Sequence, residues 1–167
     1  MAMDALTLHL QDEEATLRLG RAIGQCAAAG TLVTLTGDLG AGKTTLVRGL
    51  AEGLGIPGGV SSPTYMLMQL HEGGRLPLSH FDAWMEGREK AYLADGADEF
   101  LRADGVAVIE WAERVEEWLP EERLGLELLH APGGGRRAGL IAVGAAHGEI
   151  LDMLRAELAR DPSDSDG

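Results

Sequence analysis

The segment Gly37-Asp38-Leu39-Gly40-Ala41-Gly42-Lys43-Thr44 reads GDLGAGKT and fits G-x-x-x-x-G-K-[ST]. Each residue type in it suits one task. Glycine lets the backbone curl closely around phosphate oxygens, so that consecutive N–H groups point inward. The positive end of a following helix, opening at Thr45, adds to the same anion site. Lys43 has the reach to meet the β- and γ-phosphates, and the Thr44 hydroxyl is placed to ligate Mg²⁺. The plain alternative is a glycine-rich turn between a strand and a helix. Context speaks against it: the β-branched run Thr31–Thr36 (TLVTLT) precedes the loop, an apolar helical stripe (Leu46, Leu50, Leu54) follows it, and the chain has only two lysines, Lys43 and Lys90.

A phosphate-binding loop of this kind needs an acid at the tip of a neighbouring strand, to hold Mg²⁺ or orient water. Two residues qualify. Asp82 follows the strand-like run Leu76–Phe81, and Glu110 ends the apolar run Val106–Ile109. A carboxylate closing an apolar strand is costly to bury unless it is paired or metal-bound. Strand tips at the carboxyl edge are also where α/β sheets bind ligands. The spacing does not rank Asp82 against Glu110. The loop Ser61-Ser62-Pro63-Thr64-Tyr65 offers Thr64 as a group that could sense a γ-phosphate, or simply a polar turn stiffened by proline.

The elements that must position these residues follow from periodicity. A first helix is expected over Glu13–Ala28, capped by Asp12, with Leu19, Ala22, Ile23, Cys26 and Ala27 on one face. A second is expected over Thr45–Leu54, a short one over Lys90–Leu101 and a last one over Glu149–Arg160. Strands are expected at Thr31–Thr36, Tyr65–Leu70, Leu76–Phe81, Val106–Trp111, Leu124–His130 and Ala138–Gly144. Strands mixed with helices, one of them continuously apolar, predict an α/β sheet covered on both faces.

Composition sets the outer limits. The 167 residues suit one domain over 1–160, with Asp161–Gly167 (DPSDSDG) read as a disordered acidic tail. A net charge of −13 disfavours gripping a phosphate backbone or an anionic membrane. The single cysteine, Cys26, excludes an internal disulfide, and the five histidines show no metal spacing. His80 reads as strand packing and Cys26 as core. No run of 18 apolar residues and no signal-peptide pattern occurs, so a cytoplasmic chain is expected.

Taken together, GDLGAGKTTLVRGLAEGLGI, SSPTY, HFD and IEW, in that order and spacing, resemble the TsaE (YjeE) family over roughly Leu8–Ala159. The resemblance implies a P-loop NTPase-like α/β fold, a central mixed sheet flanked by helices in a single domain. It implies a slow Mg²⁺-dependent ATPase, binding ATP and ADP, of tRNA threonylcarbamoyladenosine biosynthesis at position 37. TsaD and TsaB are the implied protein partners, with tRNA met only through their complex. Carried over by motif, Gly37–Thr45 hold the phosphates, Thr44 and Glu110 are Mg²⁺ partners, and Asp82 matches the acid of HFD. Thr64 matches the switch-like threonine of SPT, and Trp111 the nucleotide-side tryptophan of IEW. Gln11–Thr16 resemble the segment near the adenine. One of Arg136 and Arg137 is implied to approach the nucleotide, and Arg137 is taken as the candidate. The chain departs from the family at Ala83-Trp84-Met85, where Leu-Tyr-Arg is usual. Two other readings are a small-molecule kinase, which needs an arginine-rich lid, and a nucleotide-gated module that does not hydrolyse.

Overall fold

The structure, a computed structural model, describes residues 3–58, 68–83 and 104–160. The expected short helix over 90–101, the acidic tail, the start of the strand expected from Tyr65, and Thr64 with its loop lie outside the described residues.

The chain opens on strand β1 (Met3–Leu10), an element that the sequence reading leaves unassigned. Helix α1 (Glu13–Cys26) begins where expected, because the Asp12 carboxylate accepts the Ala15 N–H at 2.9 Å, while Glu13 and Glu14 occupy the first turn. It ends two residues early, since Ala27 turns to extended backbone. The Arg75 guanidinium then donates to the carbonyls of Gly24, Gln25 and Ala27, meeting the negative end of the helix. Strand β2 (Leu32–Gly37) runs into the glycine loop, and helix α2 (Lys43–Gly53) starts two residues earlier than expected, directly from the loop. Then come β3 (Met68–His71), β4 (Leu78–Asp82), β5 (Val106–Glu110) and two short 3-10 turns at Ala112–Arg114 and Glu116–Trp118. Strand β6 (Leu124–His130) matches its expected bounds, and β7 (Arg136–Val143) starts two residues early. Helix α3 (Ala145–Ala159) starts four residues early, from Gly144, with no capping side chain to announce it.

The strands form one sheet in the order β1-β7-β6-β2-β5-β4-β3. The pairs β6–β2, β2–β5 and β5–β4 are parallel, while β1–β7, β7–β6 and β3–β4 are antiparallel. The carboxyl ends of β2, β4 and β5 therefore share one edge, which carries the glycine loop, Asp82 and Glu110. The main core lies between one face of the sheet (Val33, Leu35, Val108, Leu126, Leu140) and all three described helices. On the other face, Leu32, Phe81, Ala107 and Ile109 are covered by Ala112, Val115 and Leu119 rather than by a described helix. The two-faced cover expected from the apolar β5 is thus met there by a turn segment.

Helices α1 and α2 meet backbone to backbone. A Cβ added at Gly20 or Gly24 would run into the carbonyl oxygens of Leu46 and Leu50, and one at Gly49 or Gly53 into those of Leu17 and Arg21. The four glycines form a reciprocal i, i+4 pair on each helix, and this contact lets the two backbones pack directly. Helix α3 is tied to the sheet by His147 Nε2, which accepts the Leu32 N–H at 3.1 Å. Burial pushes this imidazole below its ordinary range, and the Glu122 charge opposes that only in part.

Gly24→Ala or Gly49→Ala should destabilise the protein by roughly 1–3 kcal/mol through overpacking, although alanine is the better helix former. A melt in which either variant matches or exceeds the parent would show that the helices can part without penalty. For His147 the sign is set by its lowered folded-state pKa. The unfolded chain takes up a proton near pH ~6.5 while the folded chain stays neutral. The stabilisation is therefore whole above that pH and is lost as pH falls through the lower folded value. The loss of Tm between about pH 7.5 and 5 should be smaller in His147→Gln than in the parent; parallel curves would contradict this.

Candidate functional site: a phosphate cup at the strand edge

The loop after β2 is shaped by close approach and by hydrogen bonds from β6 and β7. Gly37 lies so near the Leu128 carbonyl that any Cβ there would collide with it. The Asp38 N–H donates to that same carbonyl at 3.0 Å, and the Asp38 carboxylate accepts the His130 N–H at 3.0 Å. His130 Nε2 reaches the Leu39 carbonyl at 3.1 Å. Gly42, at φ 102°, takes the left-handed turn that opens α2. No acidic residue and no capping side chain occupies the first turn of α2. Its leading N–H groups have no intrahelical acceptor, so the turn remains available to an anion.

Lys43 points into this cup and is only 6% exposed. Its ammonium donates to the carbonyls of Gly37 (3.1 Å) and Asp38 (2.8 Å) and lies 4.1 Å from the centre of the Trp111 ring. Burial pushes its pKa below the usual lysine range, while Glu113, Glu110, Asp38 and Asp82 pull it back upward. Trp111 is the one non-glycine residue with positive φ (58°) among the described residues. Such backbone typically costs about 1–3 kcal/mol and clusters at functional sites. Arg114 lies 5.9 Å from the same ring centre.

The two carboxylates are brought together as the strand-tip argument expects. Asp82 and Glu110 are register partners across β4 and β5. Glu110 is 3% exposed, and its Oε1 accepts the Thr44 hydroxyl at 3.1 Å. Its Oε2 lies 2.5 Å from Nε2 of His80, which is fully buried. His80 is thus more than the packing residue that the sequence suggested. The signal was available: a histidine two residues before Asp82 shares its face of the strand. The set Thr44, Glu110 and Asp82 offers oxygen ligands beside an anion cup, the donor type a hard divalent cation takes.

A cleft of about 380 Å³ adjoins the loop, lined by Gln11, Asp12, Thr16, Gly42, Thr45 and Arg136 among others. It brings the Gln11–Thr16 segment beside the loop. Of the two arginines, Arg136 lines it. Arg136 donates to the carbonyls of Ala41 (3.2 Å) and Gly40 (3.3 Å). Arg137, the residue taken from the sequence, is exposed and does not reach the loop, because β7 alternates and turns it to the opposite sheet face. A larger hollow of about 830 Å³ lies on that opposite face, against Thr34, Glu127 and Ile141, and borders none of the loop residues Gly40–Gly42 that line the smaller cleft. Adjacency to the loop therefore points to the smaller cleft.

The family model for "Threonylcarbamoyl adenosine biosynthesis protein TsaE" matches residues 10–138. The chain belongs to the TsaE family. The tRNA threonylcarbamoyladenosine biosynthesis protein TsaE of Bacillus subtilis is 39% identical over 158 residues, covering 95% of this chain and 96% of the relative. The TsaE of Streptomyces coelicolor is 44% identical over 117 residues, covering 69% and 79%. The crystal structure of Bacillus subtilis YdiB superposes with a TM-score of 0.80 at 31% identity, covering 94% of this chain and 98% of that one. TsaE membership agrees with the single-domain mixed α/β sheet described above. No helix among the described residues is long and apolar enough to cross a membrane.

A buried ammonium whose direct partners are two carbonyls and a ring adds little to stability. Lys43→Met should therefore melt no lower than the parent without ligand, yet gain nothing from inorganic tripolyphosphate, which should raise the Tm of the parent. A marked loss of stability in the ligand-free variant, or an equal gain with tripolyphosphate, would contradict this.

Proposed function

We propose that this chain binds ATP or ADP with Mg²⁺ in the cup and hydrolyses ATP slowly, in the service of tRNA threonylcarbamoyladenosine formation at position 37. TsaB and TsaD are its protein partners in this reading, and its turnover resets their complex between rounds. The observation that carries it is the meeting of Lys43, Thr44 and Glu110 at one strand edge, beside an uncapped helix start.

In this reading the N–H groups of the loop and of the first turn of α2 hold the β- and γ-phosphate oxygens. Lys43 exchanges its two carbonyl partners for phosphate oxygens, and Trp111 keeps water from its other side. Thr44 and Glu110 would hold the cation, which would supply positive charge to offset that on the phosphates. Asp82, opposite Glu110, orients the attacking water. Gln11–Thr16 and Arg136 border the nucleoside side of the cleft. Catalysis here is electrostatic and positional. The Arg136 guanidinium is engaged by loop carbonyls and Arg114 leans on Trp111, so neither is poised as an arginine finger. A missing finger typically lowers the rate by about 10³–10⁵. Slow hydrolysis by the chain alone follows. The net charge of −13 fits a subunit that leaves tRNA to its partners.

The test is reconstitution with TsaB, TsaD, TsaC, tRNA and ATP, counting modified tRNAs per complex. Many rounds with this protein, and a single round without it, are expected. Equal turnover in both, or direct binding of tRNA by the isolated chain at physiological salt, would contradict the assignment.

A further inference from the structure

We propose that His80 is a positioning residue that locks the rotation of the Glu110 carboxylate, so that Oε1 alone is presented to Thr44 and the cation. The inference rests on the nucleotide–Mg²⁺ reading above and deepens it. Strands β4 and β5 are parallel, with His80 opposite Val108 and Asp82 opposite Glu110. His80, Asp82 and Glu110 therefore share the sheet face on which α2 and Thr44 lie, while Phe81 and Ile109 face the other way. Within this arrangement each oxygen of Glu110 has one partner. Oε1 accepts from the Thr44 hydroxyl at 3.1 Å, and Oε2 lies 2.5 Å from His80 Nε2.

A carboxylate that binds a metal is ionised and only accepts, so Nε2 carries the hydrogen of this bond. The other nitrogen, Nδ1, is buried without a hydrogen-bond partner among the described residues. The nearby His71 ring stands 6.4 Å away, centre to centre. A fully buried imidazole with one nitrogen unpaired is a poor way to fill a core, because an apolar side chain of similar size would avoid that loss. The arrangement makes sense if the single bond to Oε2 matters. With Oε2 held, the carboxyl cannot rotate to offer both oxygens or to turn away from Thr44. Partners of this sort behind a ligand orient it toward its metal.

The experiment compares His80→Gln, His80→Asn and His80→Leu in the full chain. Glutamine can place an N–H where Nε2 stands. Asparagine has the same chemistry but is too short, and leucine fills the space without a donor. Gln and Asn differ little in polarity, so a packing defect would strike both. Two quantities are read: ADP affinity in EDTA, and Mn²⁺ affinity of the ADP-bound protein by electron paramagnetic resonance. The metal-free ADP affinity should stay within about twofold for all three, while Mn²⁺ affinity should fall about 10–100-fold in the Asn and Leu variants and recover in the Gln variant. Parent-like Mn²⁺ binding in the Asn and Leu variants overturns the His80 assignment alone. So does a Gln variant as weak as Leu, or a parallel loss of metal-free ADP affinity. A parent chain that binds ADP but no Mn²⁺ overturns both this inference and the metal part of the proposed function.

Discussion

The buried charge of Lys43 is the constraint around which the rest is arranged. An ammonium removed from water needs partners, and here it has two carbonyls of its own loop and the face of Trp111. Those partners are neutral. Four carboxylates nearby draw its pKa upward without bonding to it, and desolvation still prevails. No anion is therefore bonded to the ammonium directly, the position a phosphate oxygen would take. The protein holds this arrangement by rigid means. Gly37 is pressed against Leu128, Arg136 and His130 clasp the loop from β6 and β7, and the glycines of α1 and α2 leave no slack behind the helix.

The second requirement is that the acids stand at a fixed depth beside the lysine. Parallel pairing of β2, β5 and β4 does this without any special loop, since it aligns three carboxyl ends on one edge. Continuous apolar burial of β5 makes its end a place where an ionised group is tolerated only if it is bonded. Glu110 satisfies that through Thr44 on one oxygen and His80 on the other. Asp82, more exposed at the tip of β4, remains nearer to water. The same two strands thus separate a buried acid beside Thr44 from a wetter one beside it.

Much of this was legible in the sequence, and the exceptions have physical reasons. The loop could be read because its chemistry is local: the glycines, Lys43 and Thr44 are neighbours in the chain. Asp82 and Glu110 could be placed because an acid after an apolar run marks a strand end. Strand β1 went unassigned although Leu6-Thr7-Leu8-His9-Leu10 alternates, because the run is short and its partner, β7, lies more than 120 residues away. The start of α3 was hidden by Ala-Ala-His-Gly, which carries no cap signal, so the first acid, Glu149, stood in for it. That Arg136 rather than Arg137 borders the loop is a matter of strand phase, because one residue reverses the face and the sequence does not fix the register. The face that His80 shares with Asp82 was legible, but its bond to Glu110 was not, because Glu110 lies on another strand.

The central claim is that this cup holds a magnesium–adenine nucleotide. Calorimetric titration of the full chain with ATP, with and without Mg²⁺, tests it most directly. The account predicts saturable one-to-one binding, tighter with the metal than without it, and abolished when Lys43 is replaced. Absence of binding at millimolar nucleotide, or binding that survives loss of Lys43 undiminished, would contradict it.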